Sequence, residues 1–424
     1  MRLWLIPMIY VGASVLCGLA LPRIEDAYLG SYNLNLSVAS AQAYLSAAAS
    51  GMMALTGIVF AMAFVMVQFS AIAYSPRLVL WFTRDRVLFH SLGAFIATFI
   101  YALFTLAWVD RGASGAVPLL SSVLVAIMLI VSMLLFSRLV QRLSDLQITN
   151  VLRLTGDKGR EVIRDMFGRL DGKPTAAQPP GNGAAAAVQL GPVTQTVRYS
   201  GEPRTIGKLD IEALIRQARW AGGVIVLTCA VGDTLVDGVL LLQVHHAKHQ
   251  IPEKGLMRAV RIDGERTFEQ DPKYPIRLLV DIAIKALSPA INDPTTAVQT
   301  IDQIEDLLRR LGGCELDTGR VSDVNGAVRL IVPMPTWEDY LALAFDEIRQ
   351  YGVTSVQVMR RLRSALVGLI DSLSRAERVD AVRKYLDHLD LVIEHSTLDV
   401  EDRLVAHQED RQGLGLSRGR GATG

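Results

Sequence analysis

Little in this chain of 424 residues points to covalent or metal chemistry. Its three cysteines, Cys17, Cys229 and Cys314, stand far apart without metal-ligand spacing, so neither a disulfide framework nor a zinc site is indicated. They read as small buried hydrophobes. A P-loop, a G-x-S-x-G elbow, an H-E-x-x-H pair and a convincing nucleophile with its base are all missing, which ranks an enzyme last among the readings. Charge of one sign is not in excess either. The 43 basic residues face 42 acidic ones, a net of +1, and this argues against a broad basic face built to grip nucleic acid. No cofactor is implied.

Apolar residues are what the chain has in quantity. They make up 50% of it, the mean hydropathy is +0.30, and they crowd into the first third. A bilayer span needs about 20 mostly apolar residues, because backbone polar groups in hydrocarbon must satisfy one another within the helix. Four stretches qualify: Leu3 to Leu21, Ala47 to Ala73, Phe89 to Val109 and Val117 to Val140. No A-x-A-like cleavage site follows the first, so it reads as a retained span, with a cleaved signal peptide as the alternative. Arginines mark the inner side. Arg77, Arg84 and Arg86 lie between spans two and three, and Arg138 and Arg142 lie at the exit of span four. The other loops offer Arg23 against Glu25 and Asp26, and Arg111 beside Asp110. Both termini are therefore expected in the cytoplasm, with the protein in the bacterial inner membrane.

Span two has an unusual composition. Ala47 and Gly51, Ser50 and Ala54, and Gly57 and Ala61 form small-x-x-x-small pairs, which let helix backbones approach closely. Ser46, Ser50, Gly57, Ala61 and Gln68 recur near helical spacing, leaving one narrow, mildly polar face. One reading is tight helix packing. The other is the wall of a narrow water-filled path, for which Ser50, Gly57, Ala61 and Gln68 are candidate lining residues and Arg77, Arg84 and Arg86 a candidate inner basic ring. No Asp, Glu, Lys or Arg falls in the central part of any span, which weakens coupled transport more than a passive pore.

After the membrane part (1–140), residues 141–171 read as an exit helix interrupted near Thr155-Gly156, and 172–191 as a Pro/Gly/Ala linker. A small β-rich unit follows over 192–250. Its Val231-to-Val244 run, with Gly232 and Gly238, suggests strand, tight turn and strand in a barrel-like unit. His245, His246 and His249 lack converging partners and read as solvated rather than metal-binding. Residues 251–411 read as mostly helical, and 412–424 as a disordered tail.

The most informative stretch runs from Glu265 to Arg310. Ile276, Leu279, Val280, Ala283, Ile284 and Leu287 share one helical face, Pro289 stops that helix, and Asp293-Pro294 starts the next with a cap and a first-turn proline. Arg266, Glu269 and Asp271, together with Asn292, Asp293, Thr295 and Thr296, form a candidate polar pocket; the competing reading is a salt-bridge cluster and an ordinary helix cap. Thr336 with Asp339 resembles a capping box, and Thr354 or Ser355 opens a further helix. Val328 to Val332 is the clear late strand.

Several strings together resemble the bacterial integral-membrane family known as domain of unknown function 2254. They are Ser75-Pro76-Arg77-Leu78 with Arg84-Asp85-Arg86, Glu265 to Pro272, Ala286 to Ala297, and Ala344 to Gln350. The resemblance covers nearly the whole chain and implies four spans plus a cytoplasmic domain, without assigning an activity. Similar proteins often carry paired histidines where span four exits; Ser137-Arg138 stands there here. The expected fold is thus an α-helical integral membrane protein with four transmembrane helices and a cytoplasmic α+β domain. The expected role is a homo-oligomer with a channel-like pore gated or assembled by that domain, for a small ion or small-molecule ligand. A membrane-anchored sensor or scaffold is the alternative.

Overall fold

The computed structural model describes residues 4–29, 37–73, 86–110, 117–144, 148–167, 190–317 and 319–415. The chain divides into two compact units, Met1–Val151 and Leu152–Gly424.

The first unit is four helices, α1 (Leu5–Leu29), α2 (Val38–Ala73), α3 (Arg86–Leu106) and α4 (Leu119–Ser144), with the start of α5 (Ile148–Phe167). Each of the four holds a stretch long and apolar enough to cross a membrane: Leu5–Tyr28, Val38–Val65, Arg86–Leu106 and Leu119–Gln141. Helices one and two outrun the expected spans. α1 continues through Pro22, which places Glu25 inside the helix instead of in a loop. α3 is the central element. It packs on α1, α2 and α4, and Leu92, Ala94, Phe95, Ala97, Tyr101 and Ala102 are buried on it.

The second unit begins within α5 and holds two sheets and a helical layer. A five-stranded sheet has the order β1 (Val193–Arg198), β5 (Leu240–His245), β3 (Val224–Leu227), β8 (Val328–Ile331) and β7 (Arg320–Ser322). Only the β3–β8 pair is parallel, with Ile225 opposite Leu330. A three-stranded sheet has the order β4 (Thr234–Leu235), β2 (Arg204–Leu209) and β6 (Val260–Asp263). The barrel-like expectation is corrected by this topology. The strand–turn–strand at Val231 to Val244 exists, but β4 joins the small sheet while β5 joins β1 and β3, so the turn switches sheets and both sheets stay open. Helix α6 (Ile211–Ala221) packs on β3 and β8, and α7 (Glu253–Ala259) leads into β6. Leu214, Ile225, Leu241, Val244 and Leu330 form the shared core.

The helical layer is α8 (Lys273–Ala286), α9 (Pro294–Gly312), α10 (Trp337–Gly352), α11 (Val356–Ser372), α12 (Ala376–Glu394) and α13 (Val400–Ala406). The expected starts are there. Asp293 caps α9 ahead of Pro294, Thr336 and Asp339 form a reciprocal capping box, and Ser355 caps α11. One expectation fails. α5 runs unbroken through Thr155-Gly156, because its glycines serve close packing rather than a break: a Cβ on Gly156 would sit 2.2 Å from Gln303 Oε1, and one on Gly159 2.7 Å from Leu307 Cδ1. The described part of the tail is tied down. The Asp410 carboxylate accepts from the N–H groups of Gln412, Gly413 and Gly415, and the buried Arg360 donates to the Gly415 carbonyl at 2.9 Å. The linker expected at 172–191 lies outside the described residues except for 190 and 191.

Candidate functional site

In the membrane unit the small face of α2 does not meet the rest of the bundle. Ser50, Gly57, Ala61 and Gln68 are all exposed, and nothing lies within 4 Å of where a Cβ would stand on Gly57. At about 100° per residue these four positions fall within about 40° of one another. The helix buries its opposite side instead, through Ala41, Leu45, Ala48, Met52, Thr56 and Val59. Of the candidate basic ring, Arg86 opens α3 and is exposed; Arg77 and Arg84 lie outside the described residues.

The polar interior of the bundle lies elsewhere, on α3. Ser91, Thr98 and Thr105 recur every seven residues and are all buried. Thr98 Oγ1 stands 3.2 Å from Ser132 Oγ of α4, and Thr98 and Thr105 also donate back to the carbonyls of Ala94 and Tyr101. Ser14 of α1 donates to the Ala97 carbonyl at 2.6 Å, and Tyr10 Oη lies 3.2 Å from His90 Nδ1. Glu25 closes the seam. It is 7% exposed, and its carboxylate accepts from Leu120 N at 2.6 Å, Ser121 N at 3.1 Å and Ser121 Oγ at 3.0 Å. A carboxylate from α1 thus caps the first turn of α4, where orphan N–H groups and the helix dipole favour negative charge. Sequence reasoning missed this seam, although the seven-residue spacing of Ser91, Thr98 and Thr105 was there to be read.

The expected polar pocket of the second unit divides into two places. Arg266 forms a two-pronged pair with the buried Asp271, whose Oδ1 also accepts from Lys273 N at 3.2 Å. Gly232 makes room for it: at φ +89° it takes a conformation that suits glycine, and a Cβ there would sit 2.4 Å from Asp271 Oδ2. Glu269 turns away to Arg261 at 3.1 Å and Lys208 at 3.3 Å; hydrogen bonding from Arg261, with Lys208 and against burial, holds its carboxyl below the ordinary range. Asn292, Asp293, Thr295 and Thr296 sit past the other end of α8, a helix of 14 residues and therefore about 21 Å long. There Asp293 accepts from Thr296 N and Thr296 Oγ1 as a cap, and Thr295 is exposed. The seven residues are not one site.

The histidines are not one site either. His245 is buried with Nδ1 2.9 Å from the Gly191 carbonyl, which corrects the expectation that it is solvated, and His249 lies beside Trp220 with ring centres 5.7 Å apart. Among the described residues no group of three His, Cys, Asp or Glu side chains converges to hold a metal.

Two cavities among the described residues of this unit are mainly apolar. One, of about 400 Å³, is lined by Trp220, Ile251 and Pro252; the other, more enclosed, measures about 260 Å³ and lies among the end of α5, β2, the turn before β4, the start of α8 and residues 332–335. A polar cleft of about 460 Å³ elsewhere in the unit is walled by ion-paired side chains, among them Arg361, which reaches Asp302 at 2.7 Å and Glu305 at 2.5 Å.

A family model described as "Predicted membrane protein (DUF2254)" matches residues 1–367. A protein of Mycobacterium bovis and one of Mycobacterium tuberculosis, each described as an uncharacterized protein, are 26% identical to this chain over 375 residues, covering 86% of this chain and 70% of each relative. No solved structure matches.

Proposed function

This chain belongs to the DUF2254 family of predicted membrane proteins, and on that premise we propose that it forms a homo-oligomeric, channel-like pore in the bacterial inner membrane. In this reading both termini and the α+β unit are cytoplasmic, and that unit assembles or gates the path. One observation carries the reading. The small and polar face of α2, Ser50, Gly57, Ala61 and Gln68, points away from its own bundle. Lipid tails give no reason for a stripe of small residues, whereas a neighbouring helix does, because small residues let backbones close in. Four helices per chain are too few to enclose a path alone, so α2 helices from several copies would surround it, with Arg86 at its inner mouth.

Conductance across planar bilayers holding the purified chain tests this. The expected result is ion flux that changes with Gly57→Leu and with Gln68→Leu. Native mass spectrometry in detergent would then show one dominant oligomer. A silent bilayer with a monomeric protein would sink the pore. It would favour a second reading, a membrane-anchored ligand sensor, which the more enclosed apolar cavity of the α+β unit supports.

A further inference from the structure

We propose that this cavity binds a small apolar zwitterion, an α-amino acid with a large apolar side chain. Its walls come from Met166, Leu209, Ile211, Val231, Val332 and Met334. The polar groups that reach its interior are already engaged. The Gln270 side-chain amide accepts from Leu209 N at 2.9 Å and donates to Leu209 O at 3.2 Å, and Asp271 is held by Arg266 and by Lys273 N. Pro272, Pro333 and Pro335 also line it and bring no backbone N–H groups. The floor therefore selects hydrocarbon, and polar recognition falls to the rim.

The rim carries two opposite charges from different elements, the Asp165 carboxylate of α5 and the Lys273 ammonium of α8. Neither side chain has an ion pair or hydrogen bond among the described residues. A ligand with one charge would answer only one of them. A ligand with an ammonium and a carboxylate at the same end, and an apolar body behind, answers both. The size agrees: 260 Å³ equals about nine waters of liquid, room for the apolar side chain of leucine or phenylalanine with the charged end left at the rim. Three residues separate the end of α4 from the start of α5, so a ligand held by Asp165 grips the first helix to follow the last span in the chain.

Calorimetric titration of the full chain in detergent tests the site, with L-phenylalanine and L-leucine against N-acetyl-L-phenylalanine and 2-phenylethylamine. The two amino acids are expected to bind, and each singly charged analogue to bind at least about tenfold more weakly than phenylalanine. Asp165→Asn should weaken phenylalanine by a similar factor and leave N-acetyl-L-phenylalanine unchanged. Lys273→Gln should weaken phenylalanine and leave 2-phenylethylamine unchanged. Because neither rim charge has a partner among the described residues, each variant should keep the parent's melting temperature, which separates lost binding from lost folding. Failure of both amino acids to bind at millimolar concentration, or equal binding of either analogue, overturns the proposal. The site does not depend on the pore: a chain silent in bilayers that still binds phenylalanine keeps the cavity and loses the channel.

Discussion

The membrane unit and the α+β unit satisfy their buried polar groups by different means. Among the described residues of the membrane unit, several buried hydroxyls turn back to carbonyls four residues earlier, as Thr56 does to Met52, Thr98 to Ala94 and Ser122 to Pro118, while Ser14 crosses to the Ala97 carbonyl. The single buried acid there, Glu25, meets N–H and O–H donors rather than a cation. The α+β unit instead buries arginines against acids and carbonyls. Arg361 holds Asp302 and Glu305, Arg378 donates to the Gly312 carbonyl at 2.7 Å, and Arg277 reaches both Asp281 and Glu347. Hydrogen bonding to Glu347, with Asp281 and against burial, pushes the Arg277 guanidinium still further above its ordinary range. The difference follows from the solvent on the outside. In lipid an ion pair has no water to retreat to when it opens, so neutral short-range bonds are the safer solution; beside water, paired charges fix helix register at tolerable cost.

The comparison breaks hardest at Arg361. Its side chain is 7% exposed, and Arg361→Met would leave Glu305 with Arg309 alone and Asp302 without its bond to α11. Removing one member of a buried charged network costs about 3–5 kcal/mol. Thermal denaturation should show that loss in the α+β unit, and a change under about 1 kcal/mol would mean the pairs are as weak as exposed ones. In the membrane unit the counterpart is Glu25→Ala, which strips three bonds from the start of α4. A loss of about 2–3 kcal/mol is expected in detergent melts, with Glu25→Gln intermediate because an amide oxygen still accepts but carries no charge.

Acid sharpens the contrast by a smaller amount per group. Glu269 is held below the ordinary carboxylate range by Arg261. Asp306 is held there too, by Arg310 and Arg160, although burial alone would raise it. A carboxyl depressed in the folded state stabilises the fold at pH values above its unfolded pKa, about 4 for these acids, and that contribution fades as pH falls through the folded value. The α+β unit should therefore lose stability below about pH 4. Emission from Trp337, buried in that unit, is the probe. Arg261→Gln should make the loss shallower, and an unchanged slope would detach Glu269 from it.

Much of this was legible because each signal was local. Asp293-Pro294, Thr336 with Asp339, and Ser355 each name a helix start by chemistry that acts within four residues, and the four apolar stretches name themselves by length. What escaped depends on partners distant in the chain. Glu25 looked like a loop acid because the donors that hold it are 95 and 96 residues away. Gly156 looked like a breaker because α9, the surface it fits, is read some 140 residues later. The β4–β5 turn has the local pattern of a hairpin, yet β8, from beyond three helices, pairs with β3 and widens the sheet that β5 joins. The candidate pocket divides for the same reason: its halves are neighbours in motif, and α8 lies between them.

The smallest effect is the most discriminating for α2. Gly93 and Gly57 are both glycines inside apolar helices, but a Cβ on Gly93 would lie 2.9 Å from Tyr10 Cδ2 and 3.2 Å from Pro7 Cα, whereas one on Gly57 would meet nothing within 4 Å. Within a single chain, Gly57→Ala therefore gains only helix propensity, a stabilisation of about 0.5–1 kcal/mol. If copies close on one another through this face, the added methyl group instead sits between backbones and the oligomer loosens. Melting temperature and oligomer mass then move in opposite directions, a pattern that isolated four-helix bundles do not produce. A variant that melts higher and keeps its mass would place α2 against lipid, and with it would go the reason for a shared path.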